Sequence, residues 1–186
     1  MSITLVTGPA RSGKSEWAEN LAEQCSIQAR QQLVYVATSR RNPDDAEWQA
    51  RIEQHRQRRS DEWDCVEVPV DLSGAIAQHT SSHCLLIDSL GTWLANLIDQ
   101  PDAEWLTTQN QLIDRLTQTR ANVILVAEET GWGVVPAYEM GRTFRDRLGT
   151  LSRRVGEIST NVYLVTSGYA LNLTQLGQTI QPARDS

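Results

Sequence analysis

The chain has 186 residues, of which 40% are hydrophobic and 22% charged, with a formal net charge of -6. A domain of this length typically buries about 70% of the surface its unfolded chain exposes, so this composition excludes disorder and any need for a disulfide or metal to hold a core. The negative balance also excludes a general nucleic-acid binder, which would carry a basic face, so any anion must be held by a local site.

The three cysteines, Cys25, Cys65 and Cys84, show no CxxC spacing and read as free thiols in a reducing compartment. No basic n-region and no run of 18 apolar residues occurs. The expectation is therefore a cytoplasmic protein without a membrane span.

Short apolar runs recur along the chain at Ile3 to Val6, Leu33 to Ala37, Val66 to Val68, Cys84 to Ile87, Val123 to Ala127 and Val162 to Val165. Segments with helical periodicity separate them: Lys14 to Ala29, Asp44 to Glu62, Leu72 to Gln78, Ala103 to Thr119 and Ala137 to Ile158. Mostly β-branched runs of this length, alternating with helices, predict a parallel sheet buried on both faces in an α/β domain. That domain is expected over residues 1–177, with 178–186 a polar tail. Several runs end in polar residues or glycine: Thr7-Gly8, Thr38-Ser39, Asp88-Ser89, Glu128-Glu129 and Ser167-Gly168. In open parallel sheets ligands bind beyond these carboxyl ends.

The first strand runs into Gly8-Pro9-Ala10-Arg11-Ser12-Gly13-Lys14-Ser15, which matches GxxxxGK[ST] between a predicted strand and a predicted helix. Glycines there let backbone N–H groups face a β-phosphate, the lysine reaches the β/γ oxygens, and the Ser15 hydroxyl ligates Mg²⁺. Lys14 is the chain's only lysine, beside 16 arginines, and a compact ammonium suits the cradle where a planar fork does not. Asp88, ending the run Cys84-Leu85-Leu86-Ile87, is the favoured acidic partner for the metal. Glu128 ends the other long buried strand, and the sequence does not decide between them.

Residues 44–62 carry Asp44, Asp45 and Glu47 in the first turn and Arg51, Arg56, Arg58 and Arg59 in the second half, the sense the helix dipole favours. On a 3.6-residue period, Trp48, Arg51, Arg58 and Arg59 share a side with His55. Neighbouring guanidinium groups disfavour imidazolium, leaving His55 neutral with a lone pair beside an anion site; a solvated helix face with an incidental histidine is the plainer alternative.

The ordered set of Val6-Thr7-Gly8, Ala10-Arg11-Ser12-Gly13-Lys14-Ser15, Ala18-Glu19, Tyr35-Val36-Ala37-Thr38, Arg51-Ile52 with His55, Trp63 and Glu67 resembles the bifunctional adenosylcobinamide kinase / adenosylcobinamide-phosphate guanylyltransferase family. The resemblance continues through Thr92-Trp93, Asn96-Leu97, Glu129, Gly131, Gly133-Val134-Val135-Pro136, Arg142, Phe144-Arg145-Asp146 and Gly149, and covers Ile3 to about Leu173. It implies a RecA-like P-loop fold, a homotrimer, and two reactions in adenosylcobalamin assembly. In the first, ATP or GTP phosphorylates adenosylcobinamide. In the second, GMP passes from GTP through a histidine to adenosylcobinamide phosphate.

By the same likeness the guanylylated histidine falls on His55. Nucleotide contacts fall on Gly8 to Ser15, on Ala37, Thr38 and Ser39, on Arg56, Gln57, Arg58 and Arg59, and on Glu67 and Asp88. The chain departs from the family pattern at Pro9, where a second glycine is common, and at Gly91, where threonine is usual. It departs again at Ser60, where proline is frequent, and at Glu128, where asparagine is usual.

Three features stay open at this level. Trp93, Trp105 and Trp132 read either as the lining of an apolar corrinoid surface or as buried rings. Gly131 to Pro136 reads as a lid or as a simple connection. Arg142, Arg145, Arg147, Arg153 and Arg154 read as a solvated or subunit-facing helix side. A small-molecule kinase with an idle His55, and a nucleotide-gated corrinoid-binding trimer without turnover, are the competing functions.

Overall fold

The computed structural model describes residues 1–40, 62–133 and 135–180. Seven strands form one sheet: β1 (Ile3–Gly8), β2 (Gln32–Ala37), β3 (Trp63–Glu67), β4 (His83–Asp88), β5 (Asn122–Glu128), β6 (Asn161–Thr166) and β7 (Tyr169–Asn172). Their order is β3-β2-β4-β5-β1-β6-β7, and only β7 runs antiparallel to its neighbour. The helices are α1 (Lys14–Ala29), α2 (Leu72–Ala77), α3 (Leu90–Ala95), α4 (Asp102–Gln118), α5 (Glu139–Ile158) and α6 (Leu173–Leu176).

The period-2 alternation of each strand divides the core into two halves. Cys84 and Leu86 of β4, Ile124 and Val126 of β5, and Val6 of β1 pack on one face with Ala18 and Ala22 of α1. Leu85, Ile87, Val123, Leu125, Ile3 and Leu5 point to the other face and meet side chains of α2, α3, α4 and α5. The small side chains of Ala18 and Ala22, one turn apart, let α1 lie close against the sheet.

Two thiols lie in the α1 half of the core. Burial pushes Cys84 up to about 12, with nearby Cys25 adding to the effect, and burial raises Cys25 as well. Both are inert near neutral pH, whereas Cys65 lies exposed on the edge strand β3.

The structure corrects four expectations. The run expected at Val66 to Val68 belongs to a strand that begins three residues earlier, at Trp63. As an edge strand it buries Trp63 while exposing Asp64 and Cys65, so no continuous apolar run marks its start. The six-residue α3 was not expected; its cue is Ser89, whose hydroxyl accepts from Thr92 N–H as a cap. Strand β7 was also missed. Ser167 (φ 52°) and Gly168 (φ 80°) form a two-residue turn with both φ positive, which folds β7 back on β6.

Finally, Arg147 does not belong to a solvated face. Its side chain is only 10% exposed, and its guanidinium donates to the carbonyls of Ile98 (3.0 Å) and Gln100 (2.8 Å), pairs with Asp102 at 2.8 Å, and sits 5.6 Å from the centre of the Trp105 ring. The segment 44–62 lies outside the described residues, apart from Glu62, which is in a turn.

Arg147 thus ties the chain between α3 and α4 to α5. Arg147→Ala should lower the unfolding free energy by about 3 kcal/mol, since hydrogen bonds to a charged group are lost and two carbonyls are left unpaired. Urea denaturation measures this. Asp102→Ala, whose carboxylate faces solvent, should have little effect.

Candidate active site

The loop between β1 and α1 is held by close contacts. A Cβ on Gly8 would lie 2.2 Å from the Val165 carbonyl oxygen, so β6 can pass the loop only because residue 8 is glycine. Arg11 (φ 60°) and Gly13 (φ 89°) take left-handed conformations, which turn backbone N–H groups toward a common concavity. Helix α1 then starts with no side-chain cap. Its first N–H groups are left for an anion, which the helix dipole also favours.

Two polar groups in this cradle lack full partners. Lys14 is only 6% exposed and donates from Nζ to the Pro9 carbonyl at 3.3 Å. Ser12 Oγ is buried without a hydrogen-bond partner. A buried ammonium with a single carbonyl acceptor, next to an orphaned hydroxyl and an uncapped helix, is chemically fitted to phosphate oxygens.

Asp88 reaches the same region through the sheet. Strands β1 and β4 flank β5, with Gly8 opposite Glu128 and Asp88 opposite Val126, so Asp88 lies two strand spacings, about 10 Å, across the sheet from β1 and level with Val6, two residues short of Gly8. Asp88 follows Cys84 and Leu86 in the alternation that faces α1. Tyr35, on the same face, donates its hydroxyl to Asp88 Oδ2 at 3.1 Å and orients the carboxylate.

One carboxylate and one serine hydroxyl fit Mg²⁺, which binds through few protein groups and completes its shell with water and phosphate oxygens. Among the described residues no cluster of three or more His, Cys, Asp or Glu could hold a metal on its own.

Glu128 occupies a different role. Its Oε1 accepts from the Ser89 hydroxyl and its Oε2 from the Gly91 N–H at 3.0 Å, so both carboxylate oxygens are engaged inside the protein. Ser89 is also held from the opposite side by Thr38: Thr38 Oγ1 donates to the Ser89 carbonyl at 2.8 Å and accepts from the Ser89 N–H at 2.9 Å. Glu128 is thus engaged by the start of α3, while Asp88 accepts from Tyr35.

The other expected residues fall along the same rim. Ala37 ends β2, and Thr38 is fully buried with its carbonyl accepting from Asn96 at 2.7 Å. Ser39 follows it. Glu67 ends the edge strand β3, four strand spacings or about 19 Å from β1, so the chain does not bring it beside the phosphate cradle. His55, Arg56, Gln57, Arg58 and Arg59, with Trp48 and Arg51, lie outside the described residues. Sequence reasoning did not assign functions to Tyr35 and Ser89; a tyrosine on the same strand face as the expected carboxylate was the available signal for the first.

Trp93 and Trp105 are buried, with ring centres 5.7 Å apart, and do not line a ligand surface. Trp132 is 64% exposed and follows β5 closely. The Glu129 N–H donates to the Gly8 carbonyl at 2.9 Å, and its carboxylate accepts from Gly131 N–H at 2.7 Å, which anchors the start of this connection to the cradle. Val135, Tyr138 and Met140 are also exposed nearby.

The sequence pattern described as cobinamide kinase / cobinamide phosphate guanyltransferase matches residues 4–173. The bifunctional adenosylcobalamin biosynthesis protein CobP of Pseudomonas aeruginosa is 34% identical over 171 residues, covering 91% of this chain and 95% of the relative. The bifunctional adenosylcobalamin biosynthesis protein CobU of Escherichia coli is 35% identical, covering 92% of this chain and 99% of the relative. A solved ATPase domain superposes with a TM-score of 0.52 at 11% identity, over 88% of this chain and 68% of that one, and shows the RecA-like P-loop fold alone. From the match over most of its length, this chain belongs to the cobinamide kinase / cobinamide phosphate guanyltransferase family.

Proposed function

We propose that this chain catalyses two consecutive steps of adenosylcobalamin biosynthesis: phosphorylation of adenosylcobinamide by ATP or GTP, then transfer of GMP from GTP to adenosylcobinamide phosphate. The observation that carries the reading is the phosphate cradle with buried Lys14, in a chain 34–35% identical over nearly its whole length to two bifunctional relatives.

In the kinase step the hydroxyl of the aminopropanol arm attacks the γ-phosphorus. The bond to the bridging oxygen breaks and the nucleoside diphosphate leaves. Lys14 and the backbone N–H groups of residues 10–15 neutralise and position the phosphate oxygens. Mg²⁺ held by Ser15 and Asp88 would supply further charge neutralisation there. In the transfer step an imidazole nitrogen of His55 attacks the α-phosphorus of GTP and expels pyrophosphate. The phosphate of adenosylcobinamide phosphate then attacks the same phosphorus, the P–N bond breaks, and free imidazole returns with adenosylcobinamide-GDP as product. Arg56, Arg58 and Arg59, with Gln57, would hold the nucleotide around His55. Ala37, Thr38 and Ser39, at the end of β2, and Glu67, at the end of β3, would add nucleotide contacts.

The reading includes a homotrimer, one catalytic domain over residues 1–177 with a polar tail at 178–186, and a cytoplasmic location. Exposed Tyr169, Leu171 and Leu176 along β7 and α6 give an assembly apolar surface to cover. No helix among the described residues is long and apolar enough to cross a membrane. Light scattering measures the assembly, and a monomer in solution would overturn the trimer.

Lys14→Ala should keep the circular-dichroism spectrum and lower phosphorylation of adenosylcobinamide at least about a hundredfold, the scale on which an oriented electrostatic donor acts. Near-normal turnover would remove Lys14 from the mechanism.

GTP labelled at the α-phosphate should leave one GMP per active site on the protein, labile in acid and stable in base, while γ-label should not remain. His55→Asn, which lacks the attacking lone pair, should lose the adduct and GMP transfer together and still form adenosylcobinamide phosphate. An acid-labile adduct on the His55→Asn protein would exclude this histidine as the nucleophile.

A further inference from the structure

Glu128 and Gly91 meet at a contact that neither the phosphate cradle nor the histidine chemistry uses. A Cβ at position 91 would lie 2.1 Å from Glu128 Oε2 and 2.8 Å from its Cδ, closer than any packed pair of atoms. The Glu128 carboxylate fills the space that a side chain at 91 would take, and it is pinned there by the Gly91 N–H and the Ser89 hydroxyl.

Ser89 Oγ in turn accepts from Thr92 N–H at 3.2 Å and lies 3.0 Å from Thr92 Oγ1, so the carboxylate completes the first turn of α3. Ser89 is the residue after Asp88. Its backbone is bonded to Thr38 beyond β2, and its side chain is bonded to Glu128 at the end of β5. Strands β2 and β5 flank β4 on its two sides, so the brace grips the end of β4 from both directions.

We propose that Glu128 is a positioning residue that holds the Asp88 carboxylate in place for Mg²⁺ through Ser89, and that residue 91 must be glycine to admit it. Partners one bond removed from a metal ligand commonly alter metal affinity by about 10- to 100-fold. An alanine at 91 would favour the helix on propensity alone. It nevertheless evicts the carboxylate from both of its hydrogen bonds. The inference rests on the assignment of Asp88 to the metal in the function proposed above, and it needs neither corrinoid nor turnover.

Calorimetric binding of a non-hydrolysable GTP analogue, in EDTA and across a Mg²⁺ titration, tests it together with thermal melting. Glu128→Ala should bind the analogue in EDTA within about twofold of wild type, because the cradle is untouched. The Mg²⁺ concentration giving half-maximal enhancement of binding should rise about tenfold. Gly91→Ala should show the same shift with Glu128 still present.

Glu128→Gln keeps an oxygen for Gly91 N–H and presents an amide that Ser89 Oγ can accept from, so it should stay within about threefold of wild type. In the double variant Gly91→Ala/Glu128→Ala the Mg²⁺ requirement should equal that of Glu128→Ala alone. Gly91→Ala should lower the Tm in the wild-type background and raise it in the Glu128→Ala background.

Equal losses with and without Mg²⁺ would reduce the contact to a general structural one and overturn the proposal. Additive effects in the double variant, or a wild-type response from Gly91→Ala, would also overturn it. If Glu128→Ala does not fold, Gly91→Ala and Glu128→Gln decide by the same criteria. Wild-type protein whose binding is insensitive to Mg²⁺ would overturn the assignment of Asp88 and this inference with it. The two-step cobinamide chemistry is scored separately, by the adduct and by the products.

Discussion

The register of β5 between β1 and β4 is the constraint on which the site depends. Gly8 lies opposite Glu128, and Asp88 lies opposite Val126, so β4 ends two residues short of the level at which β1 and β5 end. Because successive strand residues face opposite sides of the sheet, a slip of β4 by one residue would turn Asp88 away from α1 and bring Ile87 to that face. The slip is opposed by the core. Leu85 and Ile87 are fully buried on one side and Cys84 and Leu86 on the other, and each pair would have to exchange environments. Burial of four side chains thus fixes where one carboxylate points.

At the end of that strand hydrogen bonding takes over from packing. Beyond Asp88 the chain leaves the sheet, and the backbone groups of Ser89 have no ladder to join. Thr38 supplies both partners from one hydroxyl, and Glu128 receives the Ser89 side chain. Ser89 is 2% exposed, so leaving any of these groups unpaired would carry a desolvation cost of about 1–3 kcal/mol. The cradle has the opposite character. Around Lys14 and Ser12 the polar groups are under-satisfied, and the helix start is uncapped. A rim whose internal polar groups are paired, next to a loop whose groups are not, concentrates anion affinity at the loop.

The apolar surface is divided in a similar way. Trp93 and Trp105 pack at a tilt inside the helical layer, where Trp93 Nε1 donates to the Val70 carbonyl at 2.8 Å and Arg147 covers Trp105. Trp132 and its neighbours Val135, Tyr138 and Met140 remain on the outside, on the connection that Glu129 anchors to Gly8. Tryptophan count alone does not separate these two uses. Trp105 sits within a helical segment expected from the sequence and Trp93 within the short α3, whereas Trp132 stands between two glycines.

The sequence by itself determined the α/β class, five of the seven strands to within a residue or two, and the start of α1 at Lys14, because apolar period and the glycine-lysine loop are local signals read within a few residues. It also nominated Asp88 and Glu128 as strand-end carboxylates without separating them. Tertiary structure showed what each carboxylate meets: the Ser89 hydroxyl and the Gly91 N–H arrive at Glu128, and the Tyr35 hydroxyl arrives at Asp88. The edge strand β3, the short helix α3 and the return strand β7 were likewise settled by tertiary structure. Their apolar runs are too brief or too exposed to carry a period, and they form because a neighbouring strand or a capping serine supplies the bonds they lack.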